Sequence, residues 1–146
     1  VTADLHPDFP VVSGDYLMTT GWHVSLPEEF NRRIEDGSLV LWRPELTFWI
    51  NVWNNDNQLT VDQQLNAILN SASDDRSDEK IDRDSAITRL TYELTEIDPE
   101  RANAEYRSIS GYVISSRGYA QISAYYDSPS ARTLGYQIIH SVLALS

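Results

Sequence analysis

The chain has no cysteine, which excludes disulfide frameworks, thiolate nucleophiles and cysteine-ligated zinc. Lysine is almost absent too: Lys80 is the only one, and every other basic side chain is an arginine. Cations are outnumbered, 11 Lys and Arg against 22 Asp and Glu, for a formal net charge of −11. Such a field repels phosphate backbones and anionic lipid surfaces, so no nucleic acid is expected among the partners. No run nears the roughly 18 apolar residues of a membrane span. A Gly-rich phosphate loop and a nucleophile elbow are both missing. Ser77-Asp78-Glu79-Lys80 has the S-x-x-K spacing but none of its companion motifs.

What remains is a chain of 146 residues, 41% hydrophobic and 23% charged, the size and balance of one globular domain. Residues 1–19, with Pro7 and Pro10, read as a lead that packs on the domain; residues 20–146 read as a single α+β domain. The first residue is Val1 and not methionine, so an upstream segment is expected. That leaves the compartment open, with the cytoplasm as the default.

Alternation after Gly21 puts Trp22, Val24 and Leu26 on one face of a strand and His23 and Ser25 on the other, with Pro27 as its stop. Residues 30–35 and 38–43 flank Asp36-Gly37, the dipeptide suited to a type I′ hairpin, and Pro44-Glu45 turns the chain into 46–54. Two-residue loops then set Ile34 opposite Leu39, Leu41 opposite Phe48 and Val40 opposite Trp49. One face collects Ile34, Leu39, Leu41, Phe48, Ile50 and Val52. The other collects Asn31, Arg33, Val40, Trp42, Thr47, Trp49, Asn51 and Trp53.

Thr60 and Gln63 form a capping-box pattern that opens a helix to about residue 72, striped by Val61, Leu65, Ile68, Leu69 and Ala72. The charged stretch 73–85 reads as a loop. Interleaved Arg76, Lys80 and Arg83, and the lack of an EF-hand spacing, argue against a metal site among its acids. Strands follow at 87–96, 102–115 and 119–126. Ser128 or Asp127 caps a last helix over 129–145, with Pro129 in its first turn. Its main stripe is Ala131, Leu134, Ile138, Val142 and Leu145; Tyr136, Ile139 and Leu143 make a second. The expected architecture is α+β: an antiparallel sheet of about six to seven strands packed with two main helices, in the order ββββ-α-βββ-α.

The face bearing Arg33, Trp42, Trp49 and Trp53 offers the aromatic and arginine side chains that interfaces use as anchors, for a sugar, a peptide or a protein partner. The alternative is that a helix covers it and the tryptophans are core. Tyr136 and Leu143 form a second candidate patch, for a partner or a homodimer. His6, His23 and His140 are far apart in sequence; a catalytic role for His23 would need a partner brought to it by folding, and the end of the 119–126 strand at Asp127 is the place for such a pocket.

The element order resembles the PsbP-like group, which includes small bacterial proteins of the DcrB type. The residues behind the resemblance are the strand 22–26 with Pro27, the hairpins over 30–54, the helix 60–72, and the closing strand 119–127 leading into the helix 129–145. The resemblance implies a sheet between helices and a role in binding another protein, as adaptor, chaperone or assembly factor. The expectation is therefore a non-catalytic protein-binding module with an acidic surface and a basic or mixed-charge partner, needing no cofactor. The alternative is a hydrolase or small-ligand-binding domain with a pocket near His23 and Asp127.

Overall fold

The computed structural model describes residues 5–19, 21–84 and 86–144. Its elements are β1 (Val11–Thr19), β2 (Trp22–Glu35), β3 (Ser38–Arg43), β4 (Leu46–Asn54), α1 (Val61–Ser71), β5 (Ser77–Arg83), β6 (Thr88–Asp98), β7 (Ala104–Ser115), β8 (Gly118–Tyr126), α2 (Pro129–Ser141) and β9 (Leu143–Ala144). A 3-10 turn at Pro99–Arg101 links β6 to β7. All nine strands belong to one antiparallel sheet, ordered β1-β2-β3-β4-β8-β7-β6-β5, with β9 alongside the start of β2.

The hairpin chemistry works as its residues require. Asp36 and Gly37 both have positive φ, 51° and 84°, the twist that suits tight antiparallel hairpins. The pairs Ile34–Leu39, Val40–Trp49 and Leu41–Phe48 follow from it. The α1 capping box forms in full: the Thr60 hydroxyl accepts from the Gln63 amide, and the Gln63 side chain accepts from the Thr60 amide.

The helices lie on opposite faces of the sheet. Ala131, Ile138, Ile139 and Val142 of α2 pack on the face built from Trp22, Val24, Leu26, Phe30, Leu41, Phe48, Ile109 and Ile122, which is the main core. Leu65 and Ile68 of α1 pack on the other face, but only over Leu90, Tyr92 and Ile114 at the β6–β7 end. The face carrying the tryptophans is thus covered by α1 at one end and bare of helix over β3 and β4, where Trp42 and Trp49 are half-buried beside a buried Val40.

Five expectations need correction. The sheet has nine strands in the order ββββ-α-ββββ-α-β, not about six to seven in the order ββββ-α-βββ-α of a PsbP-like sandwich. Part of residues 1–19 forms the edge strand β1; its alternation is weak because Gly14 lies in a positive-φ bulge at φ 69°. Pro27 does not stop its strand: the β1–β2 register jumps from Gly14–Leu26 to Val12–Phe30, and β3 pairs only from Asn31 onward, so the missing proline N–H falls where the ladder is interrupted. The stretch 73–85 contains β5, all seven of whose residues are exposed. With no buried face it shows no hydrophobic alternation, and its charges are those of a protected sheet edge. The last helix ends at Ser141, and Leu143 belongs to β9; Leu145, expected on the helix stripe, lies outside the described residues.

Candidate functional site

The bare face is assembled from alternate residues of four central strands. Along β4 they are Thr47, Trp49, Asn51 and Trp53; the register sets Tyr125, Ser123, Gln121 and Tyr119 of β8 beside them in that order. Beyond β8 lie Ser108, Ser110, Tyr112 and Ile114 of β7, and before β4 lie Trp42, Val40 and Ser38 of β3. None of these side chains carries a charge, in a chain with 33 charged residues by composition (11 basic, 22 acidic). Three of the chain's four tryptophans sit here; the fourth, Trp22, is core at 4% exposure.

Two aromatic arrays cross this surface. At the β2 side the Arg33 guanidinium carbon stands 4.6 Å from the Trp42 ring centre and 5.7 Å from that of Trp49, a cation held between two electron-rich faces and steadied by Glu35 at 3.2 Å. Phe9 meets Trp42 edge-on at 5.0 Å. Buried Asn31 holds that lead in place: its side chain accepts from the His6 amide at 2.6 Å and donates to the His6 and Phe9 carbonyls. The lead therefore borders the face without crossing it.

The second array is a ladder over β4, β8, β7 and β6. Ring centres are 6.5 Å apart for Trp53–Tyr119, 6.1 Å for Tyr119–Tyr112 and 6.2 Å for Tyr112–Tyr92. Trp53 is 51% exposed, yet its indole N–H donates to Gln121 Oε1 at 3.3 Å, and Gln121 Nε2 donates to the Tyr112 hydroxyl at 3.4 Å. Burial and a hydrogen bond with Tyr92 push the Tyr112 hydroxyl well above the ordinary tyrosine range, so it stays neutral. Between the ladder and α1 runs a groove of about 420 Å³ lined by Gln64, Ala67, Ile68, Ser71, Tyr112, Tyr119 and Gln121. It too is uncharged.

Arg33, Trp42, Trp49 and Trp53 are therefore brought together on one surface. Tyr136 and Leu143 do not join each other. Tyr136 faces the α2 side of the sheet, where its hydroxyl donates to Glu93 Oε2 at 2.7 Å. Leu143 pairs with His23 across β9–β2 and is 39% exposed. Ile139, expected between them on a surface stripe, is fully buried against Gly111. Nor do His23 and Asp127 meet. Leu143 beside His23 follows α2, and Asp127 precedes it, so the 13-residue helix holds them apart by about 20 Å at 1.5 Å per residue.

One buried polar centre escaped the sequence reading. Glu93, on the α2 face of β6, accepts from Tyr126 at 2.5 Å, from Tyr136, and from Arg132 through Nε and Nη2. Burial alone would raise its pKa, but the hydrogen bonds from Arg132, Tyr126 and Tyr136 outweigh it and bring the carboxyl down to about 2. Burial first, and then its bond to Glu93, raise Tyr136 above its usual range, and the bond to Glu93 raises Arg132. Arg132 and Tyr136, four apart on α2, were the available signal; their partner is distant in sequence. The centre ties α2 to β6 and β8 through the Glu93 carboxylate, while Arg132 stays 42% exposed at its rim.

No protein-family model matches the chain, and no curated protein matches it. Among solved structures, a protein of Bacteroides thetaiotaomicron VPI-5482 is similar with a TM-score of 0.70 at 11% sequence identity. The match covers 92% of this chain and 50% of that one, so this chain spans about half the neighbour's length. At that identity the likeness shows the fold alone.

Proposed function

We propose that the protein is a non-catalytic binding module whose working surface is the bare face of β3, β4, β8 and β7. The observation that carries this reading is the composition of that face. Its four strands present aromatic rings, amides and hydroxyls, with the Arg33 guanidinium reaching over Trp42 and Trp49 from β2, on a molecule of net charge −11, and α1 covers only the far end. Large half-buried rings, with Trp53 exposed among them, offer contact area at little ordering cost. The separation of His23 from Asp127 by the length of α2 supports binding over the alternative hydrolytic pocket.

A basic or mixed-charge protein partner remains the form of this reading that uses the acidic surface, since a negative field speeds encounter with such a partner. Its docking would still rest on the rings, because the carboxylates lie off this face. The test compares wild type with Trp49→Ala and Arg33→Ala in affinity capture from source lysate at low and high salt. A stoichiometric companion retained by wild type and lost by both variants, at unchanged melting temperature, is the expected result. A companion retained equally by all three proteins overturns the assignment of this face.

A further inference from the structure

We propose that the groove between α1 and the Trp53–Tyr119–Tyr112 ladder binds an uncharged saccharide, an inference that rests on the reading of this face as the binding surface and names its ligand class. Three features point to that chemistry. First, the lining is wholly neutral, so it provides no partner for a charged ligand, and the −11 field opposes an anionic one.

Second, each of the groove's two amides has one of its two N–H donors engaged within the protein, and the indole N–H beside the groove is engaged as well. Gln64 Nε2 donates to the Ser115 carbonyl at 2.9 Å, Trp53 Nε1 to Gln121, and Gln121 Nε2 to Tyr112. An extended peptide brings a carbonyl and an amide at every residue, each needing a partner once buried. A pyranose asks for less: one face presents C–H groups that pack on a ring, while its hydroxyls lie at the rim, within reach of the Tyr119 hydroxyl, amide oxygens and water.

Third, the rings are set before any ligand arrives. The Trp53–Gln121–Tyr112 chain of hydrogen bonds orients an indole that is otherwise half in solvent. Pre-set geometry of this kind lowers the entropic cost of binding a flat ligand. The bonds fix the ring edges, and Trp53 keeps 51% of its surface exposed.

The experiment titrates the whole chain with cellohexaose, maltohexaose, xylohexaose and mannohexaose at millimolar concentration, reading tryptophan fluorescence and heat. Saturable binding of at least one is expected. Trp53→Ala and Tyr119→Ala should each weaken it about tenfold or more, Trp53→Phe should recover part of the loss, and all three should melt within a few degrees of wild type. Binding by none of the four sugars overturns the saccharide inference. If Trp49→Ala and Arg33→Ala still lose a protein companion in the capture experiment, the face keeps its role and only the ligand class falls. Sugar binding that is indifferent to Trp53 and Tyr119 places the ligand elsewhere and overturns the assignment of this groove.

Discussion

Replacing Glu93 with glutamine removes one charge from the centre that joins α2 to the sheet while preserving shape. The carboxyl's drop from 4.5 to about 2 corresponds to about 3 kcal/mol of preferential stabilisation of the ionised form in the folded protein. The Glu93 side chain is only 9% exposed, but Arg132 is 42% exposed and can rehydrate when its partner is lost; the expected loss at neutral pH is therefore about 2 to 3 kcal/mol. Its pH dependence has a definite sign. A group whose pKa is depressed on folding contributes fully above its unfolded value, here 4.5, and loses that contribution as pH falls toward 2. Urea unfolding of wild type and Glu93→Gln should show a gap that is widest at neutral pH and closes between about pH 4.5 and pH 2. Because the other carboxyls titrate alike in both proteins, the difference isolates Glu93. A gap that stays constant down to pH 2 would refute the assignment and reduce Glu93 to packing.

Other substitutions test the frame around the face. Gly118→Ala should destabilise by about 3 kcal/mol or more, seen by thermal unfolding, because the residue has φ 137° and a Cβ there would overlap the Trp53 carbonyl. Gly111→Ala should lose about 1 to 3 kcal/mol, since its Cβ would come 2.8 Å from Ile139 Cγ2; in an Ile139→Ala background, which lacks that methyl, the same change should cost much less. Asn31→Ala removes the buried hydrogen bonds to His6 and Phe9; cleavage within residues 5–10 by a protease should accelerate while the rest of the chain survives. Thr60→Ala deletes one arm of the capping box and should lower stability by about 1 kcal/mol.

How much of this was legible in the sequence depended on whether a segment owes its shape to itself or to its neighbours. Asp36-Gly37 and Pro44-Glu45 dictate local turns, and the register from Ile34–Leu39 to Val40–Trp49 follows by counting. Thr60 and Gln63 act within one helical turn. The Arg33–Trp42–Trp49–Trp53 surface was therefore readable as a shared face. β5 was not, because its residues are all exposed and only the edge of β6 makes it a strand. β1 was hidden by its bulges, and the continuation of β2 through Pro27 depends on where β1 and β3 stop pairing. The Glu93 centre joins residues 33 to 43 positions apart, and no local pattern announces such a meeting.

Whether the tryptophan face was core or surface was the question its sequence left open, and packing decides it unevenly. α1 is 11 residues long, about 16 Å at 1.5 Å per residue, while neighbouring strands are spaced about 4.8 Å apart. A helix of that length, seated over β6 and β7, cannot also roof β3 and β4. β8 thus becomes a boundary: Tyr119 packs toward α1 while Ser123 and Tyr125 lie beyond its contacts. Ser123, half-buried between Trp49 and Ser110, would make a poor core layer, because a small side chain leaves volume unfilled that a buried face must occupy. The same alternation suits a surface that receives a flat molecule, with rings as walls and hydroxyls between them. Charge placement agrees with this: acidic side chains are absent from the four central strands on the one face the helices leave uncovered.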